Sequence, residues 1–174
     1  MAGDLDANGG ATRRLILLRH AKSDWPDVPD HDRPLAKRGR KDAPVIGRWL
    51  RDHGYVPDTV ICSTALRTRQ TWDRVAPELT GSPEVRFEPR AYAASALTLL
   101  YLCQELPDRY RAALLIAHNP GIAELADSLA APGHPGLSFP TAAVAVFEFA
   151  GDWPGLAPGQ ASLLDSTTPA DLKV

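Results

Sequence analysis

The chain has 174 residues, 44% of them apolar and 23% charged, which suits one domain with a real core and argues against wholesale disorder. A net charge of −2 argues against a dedicated nucleic-acid binder, and two cysteines, Cys62 and Cys103, are too few for a disulfide framework. No apolar run approaches the roughly 20 residues of a membrane helix, and the N-terminus lacks a signal-peptide core, so the expected compartment is the cytoplasm, with no membrane partner.

Residues 1–13 are small and polar and are expected to form a flexible tail, leaving 14–174 as a single domain. Leu15-Ile16-Leu17-Leu18 is a short apolar run of the kind that forms a strand buried on both faces. Ser23 to Arg40 is rich in Asp and Pro and is expected to be a loop. A helix then runs from Gly39 to about His53, its apolar face made by Val45, Ile46, Trp49 and Leu50, with Gly54 as a left-handed cap. Thr59 to Cys62 is the second strand. Ser63 or Thr64 is expected to cap a helix reaching about Leu79.

A weaker strand is predicted at Glu84–Phe87 and a leucine-rich helix from Ser95 to Leu106. Ala113–Ala117 is the next buried strand. A helix follows, with Asn119 as N-cap and Pro120 at its first position, ending near Ala130. Pro132 to Pro140 is a loop, Ala142–Phe149 a strand, and Ala161–Leu164 a short last one. Strands alternating with helices predict a three-layer α/β/α sandwich on a mostly parallel sheet, whose ligands bind beyond the carboxyl ends of the strands.

Chemistry concentrates at those ends. The first strand ends in Arg19-His20, the second is followed one helical turn later by Arg67, and the strand at 113–117 ends in His118. Guanidinium groups fork onto phosphoryl oxygens, and imidazoles attack phosphorus or donate to oxygen. Taken singly, each residue fits a surface or structural role; their joint placement on one sheet edge does not. Other phosphate chemistries lack their motifs. There is no Gly-x4-Gly-Lys loop and no Gly-x-Gly-x-x-Gly turn. Cys62 carries Thr68, not an arginine, at the spacing a cysteine phosphatase needs. The histidines His20, His31, His53, His118 and His134 are scattered, so no metal site and no cofactor are expected. Asp24, Asp27, Asp30 and Asp32 lack the glycine and glutamate of an EF-hand and are expected to form a solvated acidic loop.

Leu17-Leu18-Arg19-His20-Ala21-Lys22 resembles the Arg-His-Gly opening of the histidine phosphatase superfamily, the phosphoglycerate-mutase-like proteins, with Ala21 in place of glycine. Ser63 to Thr71 resembles its second motif, with Arg67 at the phosphate-binding arginine, and Ile116 to Pro120 its third. Arg33-Pro34-Leu35 followed by Gly39 matches the segment before the first helix. The short chain looks most like the SixA-type phosphohistidine phosphatases, over about residues 14–150.

The resemblance implies a phosphoglycerate-mutase-like fold and a metal-independent phosphatase. His20 would carry the phosphoryl group, with Arg19, Arg67 and His118 around its oxygens; Arg33 and Lys22 would add positive potential at the rim. Many superfamily members supply a carboxylic acid between the second and third motifs. Here the corresponding stretch, Glu88 to Ser95, holds no glutamate in the family's usual context; Glu88 is the candidate by elimination, with Asp24 and Asp32 behind it. The implied substrate is phosphohistidine of a protein, of the histidine phosphotransfer type. The alternatives are small phosphate esters or nucleotides, or a phosphate-binding module without turnover.

Overall fold

The structure, a computed structural model, describes residues 11–173. Six strands form one sheet: β1 (Thr12–Arg19), β2 (Thr59–Ser63), β3 (Glu84–Glu88), β4 (Ala112–Ala117), β5 (Val144–Ala150) and β6 (Ser162–Thr167). Their order across the sheet is β3-β2-β4-β1-β5-β6. The first four of that order are mutually parallel, whereas β5 runs antiparallel to both β1 and β6. Four helices cover the faces: α1 (Lys37–Asp52), α2 (Leu66–Val75), α3 (Ala96–Gln104) and α4 (Gly121–Leu129).

The alternation of β1 decides the layers, because successive side chains of a strand point to opposite faces. Leu15 and Leu17 join the apolar cluster under α3 and α4, with Leu115, Leu125 and Phe147. Ile16 and Leu18 join the cluster under α1 and α2, with Ile46, Trp72 and Ile116. The expected three-layer sandwich is therefore what forms, on a sheet that is mostly parallel. No helix among the described residues is long and apolar enough to cross a membrane.

Three local expectations differ. β1 takes in Thr12 and Arg13, read from the sequence as tail; the Arg13 guanidinium is buried against Asp108 and the Gly151 carbonyl. The Ala11 carbonyl accepts from the Gly151 N–H, and residues 1–10 of that expected tail lie outside the described residues. Neither Ser63 nor Thr64 caps α2: Ala65 is its N-cap residue and makes no side-chain cap, because both hydroxyls have tertiary partners. At α4 the cap position falls on Pro120, after a cis Asn119–Pro120 peptide, and Asn119 donates its side-chain amide to the Phe139 carbonyl at 2.9 Å. The Gly54 cap does form, with φ +74° and the Tyr55 N–H closing onto the Leu50 carbonyl.

Candidate active site

Parallel pairing brings the two histidines together. Arg19 stands in register with Ala117, so His20 and His118 are each the first residue after a central strand. Their ring centroids are 5.3 Å apart and both residues are buried. The backbone around His20 is held on two sides: its N–H donates to the Ala117 carbonyl, and its carbonyl accepts from Ala142. The next N–H, of Ala21, donates to Thr71 Oγ1 at 3.0 Å, tying the turn to α2. Ala21 stands where the family pattern has glycine. Its φ is not positive and its methyl belongs to a packed cluster, so a Cβ fits there.

The His20 ring is oriented by its own chain. Nδ1 lies 2.8 Å from the Ala21 carbonyl, which can only accept, so Nδ1 carries the proton and Nε2 keeps a free lone pair. His118 is fixed from the other direction. Its Nε2 is 2.7 Å from Ser63 Oγ, and its Nδ1 is buried with no partner. If Ser63 donates to Nε2, its oxygen still accepts from the Ala65 N–H, and one polar group alone stays unmatched: a His118 Nδ1–H. The opposite tautomer strands the serine proton as well, so the first is favoured.

Arg19 is similar. One Nη donates to the Phe139 carbonyl at 3.3 Å, while its Nε is buried without a partner. Burial and the guanidinium charges push the His20 pKa down to about 4; the bond to the Ala21 carbonyl opposes them. Burial, His20, Arg67 and Arg19 push that of His118 to about 3, opposed by Asp30. Both rings are neutral at pH 7.

Arg67 stands in the first turn of α2 and reaches a residue whose role the sequence reading missed. It donates to the Asp30 carbonyl at 2.8 Å and to Asp30 Oδ2 at 3.1 Å. Asp30 opens a short turn, Asp30–Asp32, between β1 and α1. Its carboxylate also accepts from Arg33 at 3.0 Å and from the Tyr92 hydroxyl at 2.5 Å. Tyr92 in turn sets its ring edge-on to His118. The acidic loop is thus not merely solvated: one of its carboxylates sits on the arginine assigned to phosphate.

The other expected residues sort differently. Arg33 spends its donors within the loop, on the Asp24 carbonyl, Asp30 and Ser23 Oγ, and lies under the Trp25 ring at 3.2 Å. It anchors that loop rather than facing the pocket as a free cation. Lys22 is exposed, and its backbone carbonyl accepts from Ala36. Glu88 is not brought to the histidines. It caps the turn Pro89–Ala91, with its carboxylate on the Arg90 N–H and guanidinium and near Arg86; these bonds hold it below the usual carboxylate range. Cys62 and Cys103 are buried, and desolvation pushes both thiols up to about 12, which disarms them as nucleophiles. Among the described residues no three His, Cys, Asp or Glu side chains gather as a metal would require.

Ser63 heads the second motif at the end of β2, and that position is the one sequence signal that could have marked it. Asp30 and Tyr92 carried no such signal, since their partners lie 37 and 62 residues apart in the chain.

Comparison with known proteins bears on this geometry. An uncharacterised Mycobacterium tuberculosis protein is 35% identical over 161 residues, spanning 87% of this chain and 99% of the relative. The solved structure of a SixA protein from Nakamurella multipartitia is 31% identical, with a TM-score of 0.83 over 91% of this chain and 97% of that one. SixA of Agrobacterium tumefaciens is 27% identical, with a TM-score of 0.75 over 90% and 99%. The family model of the histidine phosphatase superfamily, branch 1, matches residues 15–91, the stretch that supplies His20 and Arg67. With that match, and with relatives this similar along nearly their whole length, the chain belongs to the histidine phosphatase superfamily.

Proposed function

We propose that this phosphatase removes phosphate from phosphohistidine side chains of proteins, through a phosphohistidine of its own at His20. The observation that carries the catalytic reading is a pair of buried donors without partners, Arg19 Nε and His118 Nδ1, beside a histidine whose Nε2 lone pair is free. Buried donors left unmatched are costly, and a phosphoryl group supplies the oxygens they lack.

His20 Nε2 attacks phosphorus in line as the bond to the leaving atom breaks. Charge grows on the three remaining oxygens; Arg19 and His118 meet it with donors that have no protein partner, and Arg67, paired with Asp30 in this structure, adds its guanidinium. Water then attacks the phosphoenzyme, the P–N bond to His20 breaks with the electron pair returning to Nε2, and inorganic phosphate departs.

The choice of substrate rests on proton supply. Glu88 is held as an anion by Arg90, and Asp30 by Tyr92, Arg33 and Arg67, so neither is poised to protonate a leaving group. A phosphorylated imidazole does not need that help, because solvent can protonate its second nitrogen before the bond breaks. The resemblance to SixA proteins supports the same reading, and a cytoplasmic location is consistent with it.

The test is to quench the enzyme during turnover of a chemically phosphorylated histidine protein, with EDTA present, and map the label. An acid-labile, base-stable phosphoryl group on His20, absent in His20→Asn, is expected. Label on a serine or cysteine, or loss of turnover in EDTA restored by magnesium or zinc, would overturn the proposal.

A further inference from the structure

The two arginines of the site are in different states. Arg19 has a buried donor with nothing on it, whereas Arg67 is met by the backbone oxygen of Asp30 at 2.8 Å and by its carboxylate at 3.1 Å. A carbonyl oxygen and an anionic oxygen on adjacent guanidinium nitrogens form the two-point pattern that a phosphoryl group makes with arginine. The two partners differ sharply in exposure: the Arg67 side chain is 8% exposed and that of Asp30 is 52%. The carboxylate can therefore leave toward water, and the guanidinium cannot. Arg33 also donates to the Asp30 carboxylate, a bond that breaks when Asp30 swings, but its donors on Ser23 and the Asp24 carbonyl beneath Trp25 remain and keep the base of the loop attached.

We propose that Asp30 is an internal occupant of the phosphoryl subsite: the resting enzyme keeps Arg67 paired with Asp30, and substrate phosphate binds by displacing that carboxylate. The inference rests on the reading of Arg67 as a phosphoryl ligand. A phosphoryl dianion and a fixed carboxylate on one guanidinium repel each other, so the two oxyanions alternate. Only the fraction of molecules with Asp30 released is competent, and apparent affinity falls by that fraction. Tyr92 strengthens the resting state by donating to the same carboxylate oxygen as Arg67. Asp30 thus acts through Arg67 as a residue that sets affinity, not as a catalytic group.

Two variants separate this role from simple alignment of Arg67. Asp30→Asn keeps size and removes the charge; Tyr92→Phe keeps the ring against His118 and removes the hydroxyl. Calorimetric titration with inorganic phosphate and with orthovanadate should show Asp30→Asn binding about tenfold tighter, the worth of one partly buried charge-assisted pair. Tyr92→Phe should move the same way by a smaller factor. KM for an aryl phosphate should fall in step, with kcat changing less. Unchanged or weaker phosphate binding in a folded Asp30→Asn, or a fall in kcat at constant KM, would mean that Asp30 aligns Arg67 and would sink the proposal. Should Asp30→Asn not fold, Tyr92→Phe decides by the same criterion. Failure of the wild type to bind phosphate in an Arg67-dependent manner, with Arg67→Ala as control, would instead remove the phosphoryl-site reading itself.

Discussion

A ring nitrogen attacks phosphorus only when it carries no proton and donates to oxygen only when it carries one, and two neighbours set the tautomers of the two histidines accordingly. The Ala21 carbonyl does so for His20 and the Ser63 hydroxyl for His118. The first partner is backbone and survives any substitution; the second can be removed. Ser63→Ala leaves His118 Nε2 without its donor, so the tautomer with a buried Nδ1–H loses its support. A fall in kcat of about tenfold is expected, with a destabilisation of about 1–3 kcal/mol from the unmatched buried nitrogen. Single-turnover rates and a thermal melt on the same sample check it; a normal rate with a lowered melt would make Ser63 purely structural. The depressed histidine pKa values also set a stability window. Above pH 6.5 both rings are neutral whether the chain is folded or not, and their full contribution is present. Below it the unfolded chain takes up protons that the folded one refuses, so stability falls between pH 6.5 and about 4 for His20, and on to about 3 for His118. Melting temperatures should drop over this range in the wild type and drop less in a His20→Asn, His118→Asn double variant.

Two helices approach the site so closely that only hydrogen fits between helix and loop. A Cβ on Gly39, in the first turn of α1, would lie 2.1 Å from the Lys22 carbonyl oxygen, two residues past His20. A Cβ on Gly121, the first residue of α4, would lie 2.1 Å from the Ala94 carbonyl, near Tyr92. Both obstacles are backbone and cannot rotate away. Gly39→Ala and Gly121→Ala should each cost about 2–3 kcal/mol and lower kcat by shifting site loops. Gly54→Ala faces open space at φ +74° and should cost about 1 kcal/mol without touching kcat. Chemical denaturation with parallel rate measurements tests the contrast. At this scale the sequence was most informative about strands, because four-residue apolar runs such as Leu15–Leu18 and Ala113–Ile116 have few other uses. It misled at helix starts. Ser63, Thr64 and Asn119 are favourable caps by local preference, yet each spends its polar group on a residue distant in the chain. The candidate site was legible, as a cluster of side chains brought together, where strand ends and motif coincide, at Arg19, His20, Arg67 and His118. It was illegible where the partner lies across the fold, as with Asp30, and where a candidate is claimed locally, as Glu88 is by Arg90.

Buried histidines and arginines gather at one sheet edge, and among the described residues neither Glu88 nor Asp30 is poised to give up a proton, which predicts how the rate depends on substrate. Assistance by a general acid is commonly worth about 10²–10⁴, and its absence penalises alkoxides most. Log kcat/KM should fall as leaving-group pKa rises across aryl phosphates. A phosphohistidine peptide should exceed a sugar phosphate of similar size by about 10² or more. Equal rates would reveal a missed acid. The sheet order carries a further consequence, for how the protein is made. β4 lies between β1 and β2, so among the described strands β1 has no neighbour until Ala112 and its successors emerge. Both of its eventual partners, β4 and β5, come from the second half of the chain. During translation the apolar segment Leu15–Leu18 must wait unpaired through the synthesis of two other strands and three helices, a condition under which chains aggregate. Assembly of the candidate site and escape from that hazard then arrive in one event, because the strand that fills the gap also brings His118 beside His20.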